Sequence, residues 1–399
     1  MNFVYRKFSL LFLVFVFGIA KTYGADKINF WNTVPQRGSN FMNEIPTEDW
    51  FRDAKKVNIK WVRLVYDKWE TEAQDFLLGS ADNYQGLIQK DLSSLKQVLL
   101  WAEVYGLKIV IAPLSLPGCR WSQNNNNRYD SRIWNNYQYQ EAAFRFWADL
   151  ARELKNFNCI VAYDILNEPY PEIETGIKEQ TIVGDADRFL SWYTQYKNTP
   201  RDLYSFYDKI IQTIRQIDLD TPIMVESGFY AQPSAYCEFP NKFMDDNVLY
   251  SVHMYEPYEF TSNGNFRNGA RYSYPGNIPF GDETVLWNRD TMVKYFEPFE
   301  NWIKTHNIPL NRIVVSEFGC MRRNPGAEEY LEDIISILEN KKYHWAFYAF
   351  REDGWDGYDY EIGTGSLPWS YWQVQERGEI PIPPRKDNSL FNVIKRRLR

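Results

Sequence analysis

Histidine is scarce in this chain, with only 3 among 399 residues. Only His253 ends a strand-like run, so a three-ligand zinc site is hard to assemble. Cysteine is as thin, at 4. Cys119, Cys159, Cys237 and Cys320 never fall at C-x-x-C spacing, which argues against a structural metal knuckle. An excess of positive charge is also missing. Lys+Arg is 45 and Asp+Glu is 52, giving a net charge of −7. That is the wrong sign for gripping a phosphate backbone and argues against a nucleic-acid partner. No internal repeat, linker or low-complexity tract divides the chain, so one domain is expected. After residue 20, no apolar run is long enough to span a bilayer.

Aromatic residues are abundant, at 17%, in an otherwise globular composition of 44% hydrophobic and 24% charged residues. Flat apolar ring faces are what sugar rings stack on, although large barrels also bury aromatics. At the N-terminus Arg6 and Lys7 precede an apolar run over 8–20, and small residues lead up to Gly24. This pattern predicts an export signal over 1–24 and a mature domain over 25–399. The expected product is an extracellular or periplasmic monomer, free of the membrane after cleavage.

Strand-like runs rich in β-branched and aromatic residues lie at 28–31, 59–65, 108–114, 160–166, 222–226, 248–253, 312–317 and 345–350. Helical periodicity marks 87–105, 138–154, 203–217, 291–305, 327–340 and 390–398. The connection after the fifth strand has the weakest helical pattern. The segment 363–384, rich in Gly, Pro and Trp, reads as a loop. Alternating strands and helices predict parallel βαβ units closed into a single (β/α)8 barrel with elaborated loops at its C-terminal face. That placement puts Cys119, Cys237 and Cys320 at one end and Cys159 at the other. A bridge needs Cα atoms within about 7 Å, so Cys159 is expected to be unpaired and at most one bridge can join the others. The basic tail Lys395, Arg396, Arg397 and Arg399 reads as cations complementing a helix C-terminus.

Barrel enzymes keep their chemistry at the C-terminal ends of the strands. Two acids stand there: Glu168 after the fourth run and Glu317 ending the seventh. Two carboxylates flanking one bond, one protonated and one ionised, are what glycoside hydrolysis requires. Loop acids Asp67, Glu226, Glu352, Asp353 and Asp356 are candidates for binding sugar hydroxyls. The last three lack the spacing of a calcium loop, and no metal or other cofactor is implied.

The flanking residues are specific. They read Leu166-Asn167-Glu168-Pro169, Val315-Ser316-Glu317-Phe318-Gly319, His253-Met254-Tyr255, Trp61-Val62-Arg63-Leu64 and Gln36-Arg37-Gly38-Ser39-Asn40-Phe41. This set, in this order, resembles glycoside hydrolase family 5, the cellulase-like family of clan A, over nearly the whole mature chain. The resemblance implies a retaining mechanism, with Glu168 as general acid/base and Glu317 as nucleophile. It implies that Asn167 bonds the sugar 2-hydroxyl, Tyr255 donates to Glu317, Arg63 keeps Glu317 ionised, and His253 lines the subsite by the nucleophile.

Two departures from the family pattern are visible. Leu114 stands where many members have a His after the third strand. At the end of the eighth strand Phe350 occupies the apparent place of a Trp platform, and Trp355 is expected to replace it. Trp121 and Trp287 are the leading candidates for further sugar stacking, ahead of Trp134, Tyr230 and Trp369. The expected function is endo-hydrolysis of a β-1,4-glucan, with a polysaccharide or oligosaccharide as partner. The alternatives are a β-mannanase, a β-1,3-glucanase, or a barrel that binds sugar without cleaving it.

Overall fold

The computed structural model describes residues 27–399 apart from Val34 and Ile380. The expected export signal lies outside the described residues. Eight parallel strands close a barrel: β1 Arg37–Phe41, β2 Trp61–Leu64, β3 Lys108–Ile111, β4 Ile160–Asp164, β5 Ile223–Glu226, β6 Val248–Met254, β9 Ile313–Phe318 and β10 His344–Phe347. They follow one another around the barrel in chain order, and β10 pairs back to β1. Between β6 and β9 the chain inserts an antiparallel hairpin, β7 Gly276–Phe280 and β8 Glu283–Trp287.

The outer helices are α1 Glu48–Lys56, α2 Gln89–Tyr105, α3 Tyr137–Leu154, α4 Asp187–Tyr196, α5 Leu203–Arg215, α6 Arg289–Thr305, α7 Ala327–Lys341, α8 Trp369–Glu376 and α9 Ser389–Lys395. Helix α1 shows why such segments are helical. Thr47 accepts the Trp50 N–H, Glu48 and Asp49 sit in the first turn, and Lys55 and Lys56 sit in the last. Its buried Trp50, Phe51 and Ala54 face the barrel wall. No described helix is long and apolar enough to cross a membrane.

Four expectations need correction. Residues 28–31 are helical, not the first strand. They end in Trp31, which is fully buried and donates Nε1–H to the Val161 carbonyl at 2.9 Å. Trp31 plugs the N-terminal end of the barrel against Trp61, Val110, Ala162, Met224, Leu249, Val314 and Ala346. The true first strand, Arg37–Phe41, carries no β-branched residue and so gave no strand signal. It needs small residues instead: a Cβ on Gly38 would meet the Trp61 ring at 2.6 Å. Gly38→Ala is therefore expected to destabilise the barrel by about 1–3 kcal/mol through overpacking, read as a lowered denaturant midpoint. A variant as stable as the parent would show that the Trp61 ring has room to move.

The eighth strand stops at Phe347, short of the expected 350. The connection after β5 holds only the turn Gly228–Ala231 and a 3₁₀ segment, Pro233–Glu238, in place of a full helix. The 363–384 segment contains α8, which its flanking Gly and Pro residues concealed, and α1 and α4 are further helices not expected from the periodicity. All four cysteines are free, with Cys159 buried.

The barrel interior changes character along its axis. The end plugged by Trp31 is apolar. Higher up, alternate inward residues become Asn40, Arg63, Asp164, Glu226, Ser251 and Ser316, all buried. An apolar floor beneath a charged layer raises the functional groups to the C-terminal mouth.

Candidate active site

Arg63 on β2 organises this charged layer. Its guanidinium is fully buried and donates Nε to Asp164 at 2.7 Å, Nη1 to Glu317 at 2.5 Å, and Nη2 to Glu226 at 3.0 Å and to Asn167 at 2.9 Å. Burial works against the charge, but Asp164, Glu226 and Glu317 outweigh it and raise its pKa. The rigid fork of five donors suits this task, which a lysine could not perform. Because arginine only donates, the Asn167 oxygen faces it, and the Asn167 NH2 is left for another acceptor.

Glu317 lies near the end of β9. The pairing of β6 with β9 slips between Val252 and His253, so that His253 comes opposite Glu317. In a regular strand consecutive side chains point to opposite faces. The slip lets two neighbours turn inward together. Ser316 Oγ reaches Ser251 at 2.6 Å and His253 Nε2 at 3.0 Å, while Glu317 reaches Arg63 and accepts from the Tyr255 hydroxyl at 2.7 Å. Burial, and then the facing Glu317 carboxylate, raise the Tyr255 phenol well above its usual range, so it remains a donor.

Glu168 follows β4 with a left-handed backbone, φ 48°. Its N–H donates to Glu226 Oε2 at 2.7 Å, which pins this unusual turn. Its carboxyl meets His253 Nδ1 at 2.9 Å and is the most open acid of the cluster. Burial pushes the Glu168 carboxyl above its usual range; His253 opposes this, and Glu317 and Glu226 add to it. One oxygen of Glu168 and one of Glu317 lie within 4.8 Å of each other, with a His253 nitrogen inside the same radius.

His253 is buried between acids. Burial alone would remove its proton, but Glu226, Glu317 and Glu168 reverse this and raise its pKa well above the ordinary imidazole value. Nε2 faces Glu226 at 2.9 Å and Nδ1 faces Glu168. Glu168, His253 and Glu317 stand at metal-ligand distances. An imidazolium has no lone pair to offer a cation, so this trio fits proton chemistry better than metal binding.

The structure thus brings Arg63, Asn167, Glu168, His253, Tyr255 and Glu317 into one cluster. It adds Asp164, which the sequence did not single out, and gives Glu226, expected to bind sugar hydroxyls, a different place. Glu226, read as a loop acid, ends β5 fully buried. Burial pushes its carboxyl up, but His253, Arg63 and the Glu168 N–H hold it at about 2. Asp164 ends β4, and there burial and Glu226 prevail over Arg63 and raise its pKa. An acid closing an apolar strand was the signal that marked Glu317, and it would have found both.

The aromatic expectations fare differently. Trp121 is half-buried, packs against Leu114 and lines a cavity beside Glu168. Trp287 is fully buried in the hairpin against Phe280 and Tyr295, so it offers no ring face to a sugar. Phe350 is also buried, packed edge-on against Trp50 behind the barrel. The residue that follows β10 at the mouth is Tyr348, whose hydroxyl donates to Glu352 at 3.1 Å. Its ring lies 6.4 Å from that of Tyr255. Trp355 packs on Tyr358, with centroids 5.0 Å apart, one ring removed from Tyr348 and Tyr255. Of the loop acids, Asp67 is buried and accepts the Leu114 N–H, Asp353 accepts the Glu44 and Ile45 N–H groups, and Asp356 pairs with Arg322. Glu352 pairs with Lys68.

Two carboxylates at the mouth of a (β/α)8 barrel, one held by a cation and a phenol and the other pushed toward its protonated form, define a glycoside hydrolase. The family model described as cellulase (glycosyl hydrolase family 5) matches residues 24–354, and the chain belongs to that family. Cellodextrinase A of Ruminococcus flavefaciens is 24% identical over 60% of this chain, and the match spans 61% of that relative's length. A probable glucan 1,3-beta-glucosidase A of Aspergillus clavatus is 20% identical over 88% of this chain and 79% of its own. Among solved structures, endoglucanase Cel5A from Thermotoga maritima shares the fold with a TM-score of 0.59 at 16% identity, covering 84% of this chain and 93% of that one.

Proposed function

We propose that this protein is an exported retaining endo-β-1,4-glucanase in which Glu317 is the nucleophile and Glu168 the general acid/base. The observation that carries the reading is the asymmetric acid pair, with carboxyl oxygens within 4.8 Å. Retaining enzymes hold their carboxyl groups about 5–5.5 Å apart, whereas inverting ones leave room for a water between them. In the first step Glu317 attacks the anomeric carbon while Glu168 gives its proton to the departing oxygen. In the second, Glu168 takes a proton from water, which attacks the glycosyl–Glu317 ester. Arg63 and Tyr255 hold the Glu317 carboxylate in line, and the free Asn167 amide is placed to bond the sugar 2-hydroxyl.

The cellulase description of the family and the name of the cellodextrinase support a β-1,4-glucan. A cavity of about 150 Å³ beside Glu168, lined by Leu114, Trp121 and Tyr230, gives room for sugar next to the proton donor. The N-terminal pattern over 1–24 supports export. The 1,3-glucosidase relative, which aligns over more of this chain, favours a second reading as a β-1,3-glucanase.

A reducing-sugar assay on carboxymethyl-cellulose, barley β-glucan, glucomannan, galactomannan, laminarin and xylan separates these readings. Release is expected from carboxymethyl-cellulose and β-glucan. Release from laminarin alone establishes the second reading, and release from galactomannan alone would mark a mannanase. No release from any of them defeats the polysaccharide assignment.

A further inference from the structure

Glu226 is fully buried at the end of β5, so it does not touch a sugar itself. Its two oxygens meet four donors. Oε1 accepts from Arg63 Nη2 at 3.0 Å and Ser316 Oγ at 3.4 Å, and faces His253 Nε2 at 2.9 Å. Oε2 accepts the Glu168 N–H at 2.7 Å. Only a carboxylate satisfies donors on both oxygens. An amide of the same size would turn its NH2 either against Arg63 and His253 or against the Glu168 N–H.

The consequence falls on His253. Glu226 calls for a proton on Nε2, and the Glu168 carboxyl, 2.9 Å from Nδ1, meets the other nitrogen. A ring protonated on Nε2 alone would present an Nδ1 lone pair to Glu168. That lone pair would take up the Glu168 proton and turn it away from the mouth. With Nδ1 protonated as well, the ring donates to one oxygen of Glu168, and the acid proton on the other oxygen stays available to a leaving group. Glu317 Oε2 also faces Nδ1, at 3.9 Å, and Arg63 and Asp164 complete the charged layer. Tyr207 stands behind Glu226, Tyr255 bonds Glu317, and Glu179 and Tyr258 face Glu168. Burial alone would discharge the ring; Glu226, then Glu317 and Glu168, reverse this.

We propose that Glu226 is a positioning residue for the acid/base: it fixes His253 with both ring nitrogens protonated and seats the left-handed backbone of Glu168, so that the Glu168 proton is directed at the leaving oxygen. This rests on the glycosidase reading and concerns the control of its proton donor. A charged ring beside Glu168 also eases its ionisation, so Glu226 helps to set the pH at which the acid is unloaded.

The ring nitrogens of isotope-labelled histidine, observed by NMR, test the first half in the parent. Burial shifts His306 and His344 below the ordinary imidazole value, His344 to about 4, so a ring protonated on both nitrogens at about pH 7.5 is His253. That signal is expected in the parent and is expected to give way to a neutral ring in Glu226→Gln. A neutral His253 in the parent overturns the proposal, whether or not any variant folds. Kinetics test the second half, with cellotetraose as a substrate that needs the proton and β-cellobiosyl fluoride as one that does not. Glu226→Gln is expected to lower tetraose kcat/KM about tenfold or more and to move its basic limb up by about one pH unit, with little change on the fluoride. Glu226→Asp keeps the charge but is a methylene too short to reach the Glu168 N–H. Its tetraose rate is expected to fall while its basic limb stays in place. A limb that stays or moves down in Glu226→Gln overturns the proposal, as does an equal loss on both substrates, which marks a merely structural role. Parent cleavage of the fluoride but not of the tetraose also overturns it. Cleavage of neither defeats the glycosidase reading itself, and the proposal with it.

Discussion

Glu317→Gln is expected to lower kcat on the accepted glucan by about 10⁴- to 10⁶-fold, the range seen when an activated nucleophile is removed while the rest of the site remains. The fold should not suffer. Gln keeps the size of Glu, its carbonyl can accept from Arg63 while its NH2 turns to the Tyr255 oxygen as acceptor, and it stands near the end of a strand whose residues are all buried. Circular dichroism and the unfolding midpoint should therefore stay close to those of the parent. The chemical signature is sharper than the rate. A 2-deoxy-2-fluoro glycosyl fluoride should leave a covalent adduct on Glu317 in the parent, located by peptide mass spectrometry, and none in the variant. An adduct on Glu168, or normal turnover by the variant, would reverse or remove the assignment of the nucleophile.

The same cluster shows what a sequence can and cannot disclose. The eightfold alternation was legible because six of the helices carry apolar faces, and most of the strands are unbroken β-branched runs. The first strand was not, because its task is to approach Trp61 closely, which requires Gly38 and Ser39 rather than Val or Ile. Trp31 misled for the same reason in reverse: an aromatic run before the barrel serves as its plug. Arg63, Asn167, Glu168, His253, Tyr255 and Glu317 could be named because each is flanked by a motif. Glu226 and Asp164 have no such flanks, and only the folded barrel brings them against Arg63. Aromatic positions were the least legible. Whether a Trp faces sugar or core depends on loop paths, which is why Trp287 proved to be core and Tyr348 emerged only from the structure.

Glu168→Ala should separate the two halves of the reaction. Glucan hydrolysis needs a proton on the leaving oxygen, and loss of a general acid costs about 10²- to 10⁴-fold. Cellobiosyl fluoride releases fluoride without that proton, so its kcat/KM, which reports only the first step, should change little. Its kcat should still fall, because the second step loses its general base and the glycosyl-enzyme accumulates, visible as a burst of fluoride. Added azide should relieve this block and yield a β-cellobiosyl azide. The pH profile follows from the same group. Burial first, with Glu317 and Glu226 adding and His253 opposing, raises the folded Glu168 carboxyl, so the acid stays loaded beyond the usual carboxyl range. Glucan kcat/KM in the parent is therefore expected to hold below that raised value and to fall as pH climbs through it. The fluoride profile of Glu168→Ala should lack this basic limb. A basic limb that survives in the variant would move the titration to another group, and equal losses on glucan and fluoride would show that Glu168 is not the proton donor.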